Sequence, residues 1–336
     1  MTRNTPHIKK TSEIILYILL IFTLAFTPLV AAKKTLSEDE SPLKPTLYDR
    51  ILTLWHVETF EGGVGSRGDF LTKRAVEFGS DGCHVLVKKH TAESAEIALS
   101  QGERPDLVSF GAGADFVVPL VRSFTVRING ERKTAYAFPW AQGGYFLFRK
   151  SGDDSPIKTL TVSDGGLNLP LGAAYASGIT ADIIEVVKSV DAYIKLVSGK
   201  TDALIGTQRD IRRFSVREFA YSVTPLETFD DLYQYIAVTA DDPDDFAAAE
   251  KFAEYLLSDT TGEKLGGLNM FSPFAGTERN YPLSEFDEKK TTKTINPLIS
   301  AENLSDIKRD LYESVTQRKK CFSFENSTIT PSNACN

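Results

Sequence analysis

The stretch LTLWHVETFEGGVGSRGDFL, residues 52–71, combines a short apolar run, a glycine-rich turn and the start of a helix. The apolar run ILTLW, residues 51–55, has the length and composition of a buried strand. Four glycines then fall within seven residues, and Ser66 and Asp69 have the S-x-x-D spacing of a helix cap. Such a turn either binds a ligand through its backbone or only reverses the chain, and the neighbouring segments bear on that choice.

The segments that follow repeat this alternation of strand and helix. The patterns predict a helix over SRGDFLTKRAVEF, a strand over CHVLVK, a short helix over TAESAEIALSQG and a strand over DLVSF. The alternation is typical of an α/β layer with a mostly parallel sheet. Ligands of such sheets bind at the carboxyl ends of the strands, where the glycine-rich turn lies.

A second α/β unit follows the extended aromatic segment TAYAFPWAQGGYFLFRK. Its first helix is predicted within ADIIEVVKSVDAYIKLVSGK, with five apolar residues on the buried face: Ile183, Val187, Val190, Ile194 and Val197. The strand ALIG precedes TQRDIRRF, and the strand YQYIAVTA leads back. Two extended connections between two units predict a hinge with a cleft between two lobes.

The composition is ordinary for a soluble globular protein, with 42% apolar and 25% charged residues in a chain of 336. The net charge of −7 argues against a nucleic-acid partner. Cys83 opens a strand and is expected to be a buried thiol. Cys321 and Cys335 are able to pair in an oxidising compartment, although connectivity does not follow from sequence.

The N-terminus predicts export. Arg3, Lys9 and Lys10 precede an apolar run over residues 14–32 that ends in small residues. The run fits a signal peptide cleaved after Ala32 and also fits a retained membrane anchor, so both interpretations stand. In either case the remainder is expected outside the cell or at the cell surface, behind a charged linker.

Several segments resemble extracellular solute-binding proteins of ABC importers, in the larger two-lobed group. They are LTLWH before the glycine turn, GERPDLVSFGAG, AFPWAQGGYFLFRK, SGKTDALIGTQRDIRRF and AAAEKFAEYLLSDTTGEKLGGLNMFSPF, in this order. The resemblance covers residues 47–274. It implies an α/β fold of the periplasmic-binding-protein type II kind, in which two lobes, each a mostly parallel sheet flanked by helices, are joined by a hinge. No lipid-anchor cysteine follows the leader, and the segment after Tyr281 matches nothing in the family.

The resulting domain prediction is a leader, a linker, two lobes and a C-terminal extension. Its boundaries are 1–32 for a signal peptide or anchor, 33–46 for the linker, 47–138 for lobe 1, 139–230 for a crossover and lobe 2, 231–282 for the return crossover and C-terminal helices, and 283–336 for a C-terminal helix and tail.

The candidate ligand-binding residues lie where strands end or cross. They are Trp55, His56, Glu58, Glu61, Arg67, Gly111, Trp140, Gln142, Tyr145, Gln208 and Arg209. Aromatic faces with nearby carboxylates suit a sugar, because the rings stack on C–H groups and the carboxylates accept hydroxyl hydrogen bonds. Thr207 and Asp210 repeat the cap pattern, so both lobes present a helix start. Structural alternatives are helix caps, core packing of Trp140 and an Arg209–Asp210 pair.

No catalytic or metal-binding motif of established spacing occurs, and Ser109 has no evident partner in sequence, so we expect no enzyme and no cofactor. His56 and Glu58 share a strand face and are able to contribute to a metal site. The resemblance implies a protein that carries a small solute, with sugar favoured over a metal or an oxyanion, to an ABC permease. The alternative is a membrane-tethered sensing or scaffolding protein of the same fold without a transport role.

Overall fold

The computed structural model describes residues 50–60, 66–79, 82–153, 155–274, 294–317, 321–325 and 328–332, with side chains as far as Val315. The predictions for the leader, the linker, Glu61 and the Cys321–Cys335 pair concern residues or side chains outside this set. Cys83 is a free, partly buried thiol. No helix within the described residues is long and apolar enough to cross a membrane.

Lobe 1 is defined here by a five-stranded sheet in the order β2–β1–β3–β12–β6. Its strands are β1 (Arg50–Val57), β2 (Cys83–His90), β3 (Leu107–Phe110), β6 (Phe138–Gln142) and β12 (Tyr233–Val238). The strand β1 pairs in parallel with β2 and β3, whereas β12 is antiparallel to β3 and β6. A hairpin of β4 (Phe124–Ile128) and β5 (Glu131–Ala135) extends from this lobe.

Lobe 2 is defined by the second five-stranded sheet, in the order β11–β7–β10–β8–β9. Its strands are β7 (Tyr145–Lys150), β8 (Thr159–Asp164), β9 (Ile183–Lys188), β10 (Ala203–Thr207) and β11 (Tyr221–Pro225). The strand β8 is parallel to β9 and β10, and β7 is antiparallel to β10 and β11. A C-terminal hairpin contains β13 (Cys321–Glu325) and β14 (Thr328–Ser332).

Eight α-helices are described. They are α1 (Arg67–Phe78), α2 (Ala92–Ser100), α3 (Pro170–Ala176), α4 (Ser189–Val197), α5 (Gln208–Val216), α6 (Pro243–Leu256), α7 (Asp259–Glu263) and α8 (Ala301–Gln317). Both predicted caps form: Ser66 Oγ accepts from the Asp69 N–H at the start of α1, and Thr207 and Asp210 make a capping box on α5. These helix starts are therefore fixed by local hydrogen bonds.

The predicted helix within residues 181–200 is wrong in its extent and in its buried face. Residues 183–188 instead form β9, where the β-branched run IIEVVK pairs with β8. The remainder is α4, which buries Tyr193 and Leu196 and leaves Ile194 51% exposed. Tyr193 decides the orientation of α4, because its ring packs 5.0 Å from that of Phe214 on α5.

The two sheets are connected at a hinge of two crossovers. The first is the turn between β6 and β7, and the second runs from β11 to β12. The crossovers are hydrogen-bonded to each other, because the Gly143 N–H donates to the carbonyl oxygen of Leu232 at 2.7 Å. This arrangement directs the carboxyl ends of the parallel strands of both lobes toward each other.

Candidate functional site: the cleft between the lobes

The loop after β1 meets the loop after β8 across the cleft. The Leu167 N–H donates to the carbonyl oxygen of Thr59 at 2.8 Å, and Phe60 forms an antiparallel bridge with Gly166. Gly166 has a φ of 133°, and a Cβ there would lie 2.6 Å from the Thr59 oxygen. Glycine is therefore required for the lobes to make this contact.

Gly111 permits a similar close approach within lobe 1. A Cβ at this position would lie 2.0 Å from the Thr59 hydroxyl oxygen. This loop after β3 thus supports the residues that face lobe 2. A direct ligand contact by the backbone of Gly111 stays a prediction.

A polar pocket opens on the cleft side of lobe 2, where β8 and β10 end and α4 begins. Its volume of about 10 Å³ has room for about one water molecule. Its lining residues are Ser163, Gly165, Asn168, Ser189, Thr207 and Arg209. Asn168 is buried, and its Oδ1 atom has no hydrogen-bond partner. The pocket therefore offers hydroxyls, an amide oxygen and a guanidinium group to a polar molecule.

His56 is the centre of a buried network on lobe 1. Ser109 Oγ accepts hydrogen bonds from Trp140 Nε1 at 3.0 Å and from Gln234 Nε2 at 3.1 Å. With both lone pairs occupied, the Ser109 hydroxyl donates to His56 Nδ1 at 3.1 Å. The proton of neutral His56 is then on Nε2, which donates to Glu58 at 3.3 Å. Burial lowers the pKa of His56, in agreement with this neutral tautomer.

Arg67 is a buried cation beside this network. Its Nη2 atom donates to the carbonyl oxygen of Phe60 at 2.6 Å, and its Nε atom lies 3.8 Å from Glu58. Burial lowers the pKa of Arg67 to about 10, opposed by the Glu58 charge. The hydrogen bond from His56 lowers the pKa of Glu58, whose side chain is half-exposed. Glu58 is thus held ionised at the cleft, while Arg67 is used mainly to fix the loop.

Ser109, His56 and Glu58 lie in the order of a hydrolase triad, a connection that sequence spacing did not reveal. Ser109 is completely buried, and its hydroxyl oxygen already accepts two N–H donors. A nucleophile needs an accessible oxygen beside a base that takes its proton. We therefore interpret this network as support for the loop that carries Glu58.

Three predicted ligand residues make hydrogen bonds at the hinge. Gln142 donates to Asp230 at 3.0 Å, and the Tyr145 hydroxyl donates to Asp231 at 2.7 Å. Gln208 is fully buried and accepts from the N–H of the Gly144 turn at 3.0 Å. These hydrogen bonds connect the crossovers, and the ligand roles of the three residues stay predictions.

The two tryptophans are buried in the core of lobe 1 in this structure, and their predicted ligand roles are not tested by it. Trp55 is 1% exposed and packs against α2, with its ring 4.6 Å from His90. Trp140 is 2% exposed and stacks on Phe70 of α1 at 5.6 Å. The two rings lie on opposite faces of the lobe 1 sheet, because they belong to different core clusters.

Sequence reasoning missed the acidic pair of the hinge. Asp230 and Asp231 are buried, and burial raises their pKa values to about 6 and about 7. Among the described residues, neither makes an ion pair with a cation. The sequence did contain a signal for this buried pair, since two adjacent aspartates lie just before an apolar strand. Residues at the start of a strand beside a crossover are expected to be buried.

A larger groove lies at the opposite edge of lobe 1. Its volume is about 730 Å³, and its lining includes Arg50, Phe78, Cys83 and Lys251. It is formed at the amino ends of β1 and β2, whereas ligands of α/β sheets bind at the carboxyl ends. No group of three or more His, Cys, Asp or Glu side chains suited to a metal occurs within the described ranges. The cleft therefore stays the candidate site.

Comparison with solved structures identifies the fold. An extracellular solute-binding protein from Bordetella parapertussis, itself described only as putative, aligns with a TM-score of 0.58 at 11% identity over 80% of this chain and 99% of that one. Iron-bound HitA from Pseudomonas aeruginosa aligns with a TM-score of 0.52 at 13% identity, over 78% of this chain and 99% of that one. Maltose-bound MalE3 of T. maritima aligns with a TM-score of 0.52 at 13% identity, over 80% of this chain and 95% of that one. No protein-family model and no curated protein sequence matches the chain.

The chain has the two-lobed fold of periplasmic solute-binding proteins of ABC transporters. This confirms the predicted fold class and the structural side of the resemblance. These neighbours are binding proteins by their descriptions, and one holds iron while another holds maltose. At such low sequence identity the structural similarity establishes only the fold, so the ligand of this chain has to be inferred from its own residues.

Proposed function

We propose that this protein is an extracellular solute-binding protein that captures a small polar solute between its lobes and delivers it to an ABC permease. One observation carries the proposal. Loops at the carboxyl ends of the two sheets meet across the cleft, and beside this contact lobe 2 has a polar pocket with an unpartnered, buried Asn168 oxygen. A solute held by one lobe and contacted by the other on closure would favour the closed state, because only such differential binding shifts the equilibrium.

We propose a carbohydrate as the solute class, on different grounds from stacking on tryptophan. The pocket contains three hydroxyl side chains, an amide oxygen that needs a donor, and Arg209. The pocket has room for about one water molecule, so it would take one hydroxyl group of the sugar, which is both a donor and an acceptor, while the rest of the sugar lies in the cleft. An oxyanion is the alternative solute, favoured by Arg209 and by the start of α4, which has no side-chain cap.

A thermal-shift screen tests the proposal, with mono- and oligosaccharides, oxyanions, amino acids and divalent metals after exhaustive dialysis. A solute at a hundred times its Kd stabilises the folded state by about 2.7 kcal/mol. We expect one class to raise the Tm, and we expect Asn168→Ala and Arg209→Ala to abolish the rise. Arg212→Ala is the matched control, since Arg212 is an exposed arginine on the same helix. A folded protein that no compound stabilises would contradict the proposal.

A sensing or scaffolding role is the second candidate, and one observation favours it. Helix α8 and the residues before it contact both lobes, and they follow residues 47–274, the range in which sequence segments resemble the transport proteins. Uptake of the labelled solute by cells with and without the protein separates the two roles. Unchanged uptake, together with retained solute binding, would favour the sensor.

A further inference from the structure

The segment of residues 294–315 connects the two lobes on the outside of the cleft. It begins on lobe 1, where Leu298 packs against the cluster of β1, β3 and β12. The Ala301 N–H then donates to Asp115 at 3.4 Å, a long bond to the loop after β3. From there α8 continues over lobe 2, where it packs against α3 and β9.

Leu304 fills the junction between the lobes. It is 1% exposed, and its Cδ2 atom would lie 3.2 Å from a Cβ placed on Gly113 of lobe 1. The same Cβ would lie 2.9 Å from Leu167 of lobe 2. Gly113 has a φ of 88°, so a glycine here lets both leucines approach the backbone. Leu304 of α8 and Leu167 of lobe 2 thus both approach the backbone of Gly113, on the lobe 1 loop after β3.

Lys308 holds the lobe 2 side of this junction. One turn after Leu304, its ammonium group donates to Asp164 at 2.5 Å and to the carbonyl oxygen of Gly166 at 2.9 Å. Gly166 and Leu167 are the residues that pair with Thr59 and Phe60 across the cleft. The segment therefore fixes, from outside, the loop that makes the contact between the lobes.

We infer that residues 294–315 form a brace that holds the lobes closed without solute, and that the brace must release Leu304 from lobe 1 before the cleft can open. The inference rests on the proposed function, because the cleft that the brace closes is the proposed solute site. Opening separates Gly113 from Leu167 and exposes Leu304 to water, which opposes the motion. Solute exchange is then controlled by the C-terminal segment as well as by the hinge.

Hydrogen exchange of the Leu167 amide measures this directly, because its bond to Thr59 breaks when the lobes separate. We expect Leu304→Ala to speed exchange at Leu167 by at least about tenfold, the equivalent of about 1.4 kcal/mol. Leu311→Ala is the matched control. It is the same substitution in the same helix at a fully buried position, two turns further over lobe 2. We expect it to leave Leu167 exchange within about twofold of the parent protein.

Equal acceleration in both variants would overturn the inference, since it would mean that α8 only stabilises lobe 2. No acceleration in Leu304→Ala would also overturn it. If that variant does not fold, Lys308→Ala removes only polar contacts to Asp164 and Gly166, and unchanged Leu167 exchange in it refutes the brace. The experiment needs no solute. If the protein binds no solute, the proposed function is refuted, and the exchange experiment still tests the brace.

Discussion

The hinge contains a titratable pair whose effect on stability has a defined sign. Burial raises the pKa of Asp230 from 3.8 to about 6 and that of Asp231 to about 7. Between about pH 4 and pH 7 the folded state therefore binds more protons than the unfolded state. The contribution of this pair to the free energy of unfolding is fully present below about pH 4. It is lost as the pH rises through the folded-state pKa values.

The substitution Asp230→Asn removes one of these charges with little change of shape. The Asp230 carboxylate accepts from the Leu232 N–H at 2.8 Å and from Gln142 at 3.0 Å. An asparagine keeps the first bond, and a rotated Gln142 amide restores the second. A shift of roughly two pKa units corresponds to about 3 kcal/mol. We expect the variant to be more stable than the parent by about 2–3 kcal/mol at pH 8 and nearly equal at pH 4.

Urea unfolding at pH 4 and pH 8 measures this difference. Glu96→Gln, on the exposed side of α2, is the control for losing one negative charge at the surface. It is expected to change the free energy of unfolding by less than about 0.5 kcal/mol at either pH. An Asp230→Asn variant that is destabilised equally at both pH values would refute the reasoning, because the carboxylate would then be a net stabilising acceptor.

Three further predictions concern the cleft. Ser109→Ala leaves two buried N–H donors without an acceptor and is expected to cost about 2–4 kcal/mol in urea unfolding, and a neutral effect would contradict the network. Nitrogen NMR of His56 is expected to show a titration midpoint below the ordinary pKa of histidine, because of burial, with the proton of the neutral ring on Nε2, so a midpoint above the ordinary pKa would be contrary evidence. Gly166→Ala is expected to push the lobes apart at Thr59 and to increase the radius of gyration in X-ray scattering. Gly178→Ala, also at positive φ but with open space around a Cβ, is the control and should leave the radius unchanged.

Local features of this fold were readable from sequence because their causes are local. The Ser66 cap needs only a hydroxyl three residues before an amide, and the capping box of Thr207 and Asp210 has the same spacing. The alternation of strands and helices likewise follows from short apolar periods. The predictions for the first lobe up to β3 and for α8 are confirmed for this reason.

Burial in the tertiary structure was much less predictable. A tryptophan at a strand end suits both a cleft and a core, and only the packing of α2 and Phe70 places Trp55 and Trp140 inside. The apolar spacing in residues 183–197 fits a helix, but residues 183–188 form a strand because they pair with β8. The ligand roles of Glu58 and Arg209 stay predictions, as do the domain boundaries.

The position of β12 between β3 and β6 determines the order in which the chain can fold. All the strands of lobe 2 lie within residues 145–225, so its sheet can form as soon as that segment exists. The sheet of lobe 1 lacks an inner strand until residue 238 has been made, and before then two strand edges have unpaired hydrogen-bonding groups. The lobe that comes first in the chain is thus the last to be completed. A fragment ending at the first crossover would therefore have an incomplete sheet without β12, and we expect it to aggregate through its unpaired strand edges rather than fold.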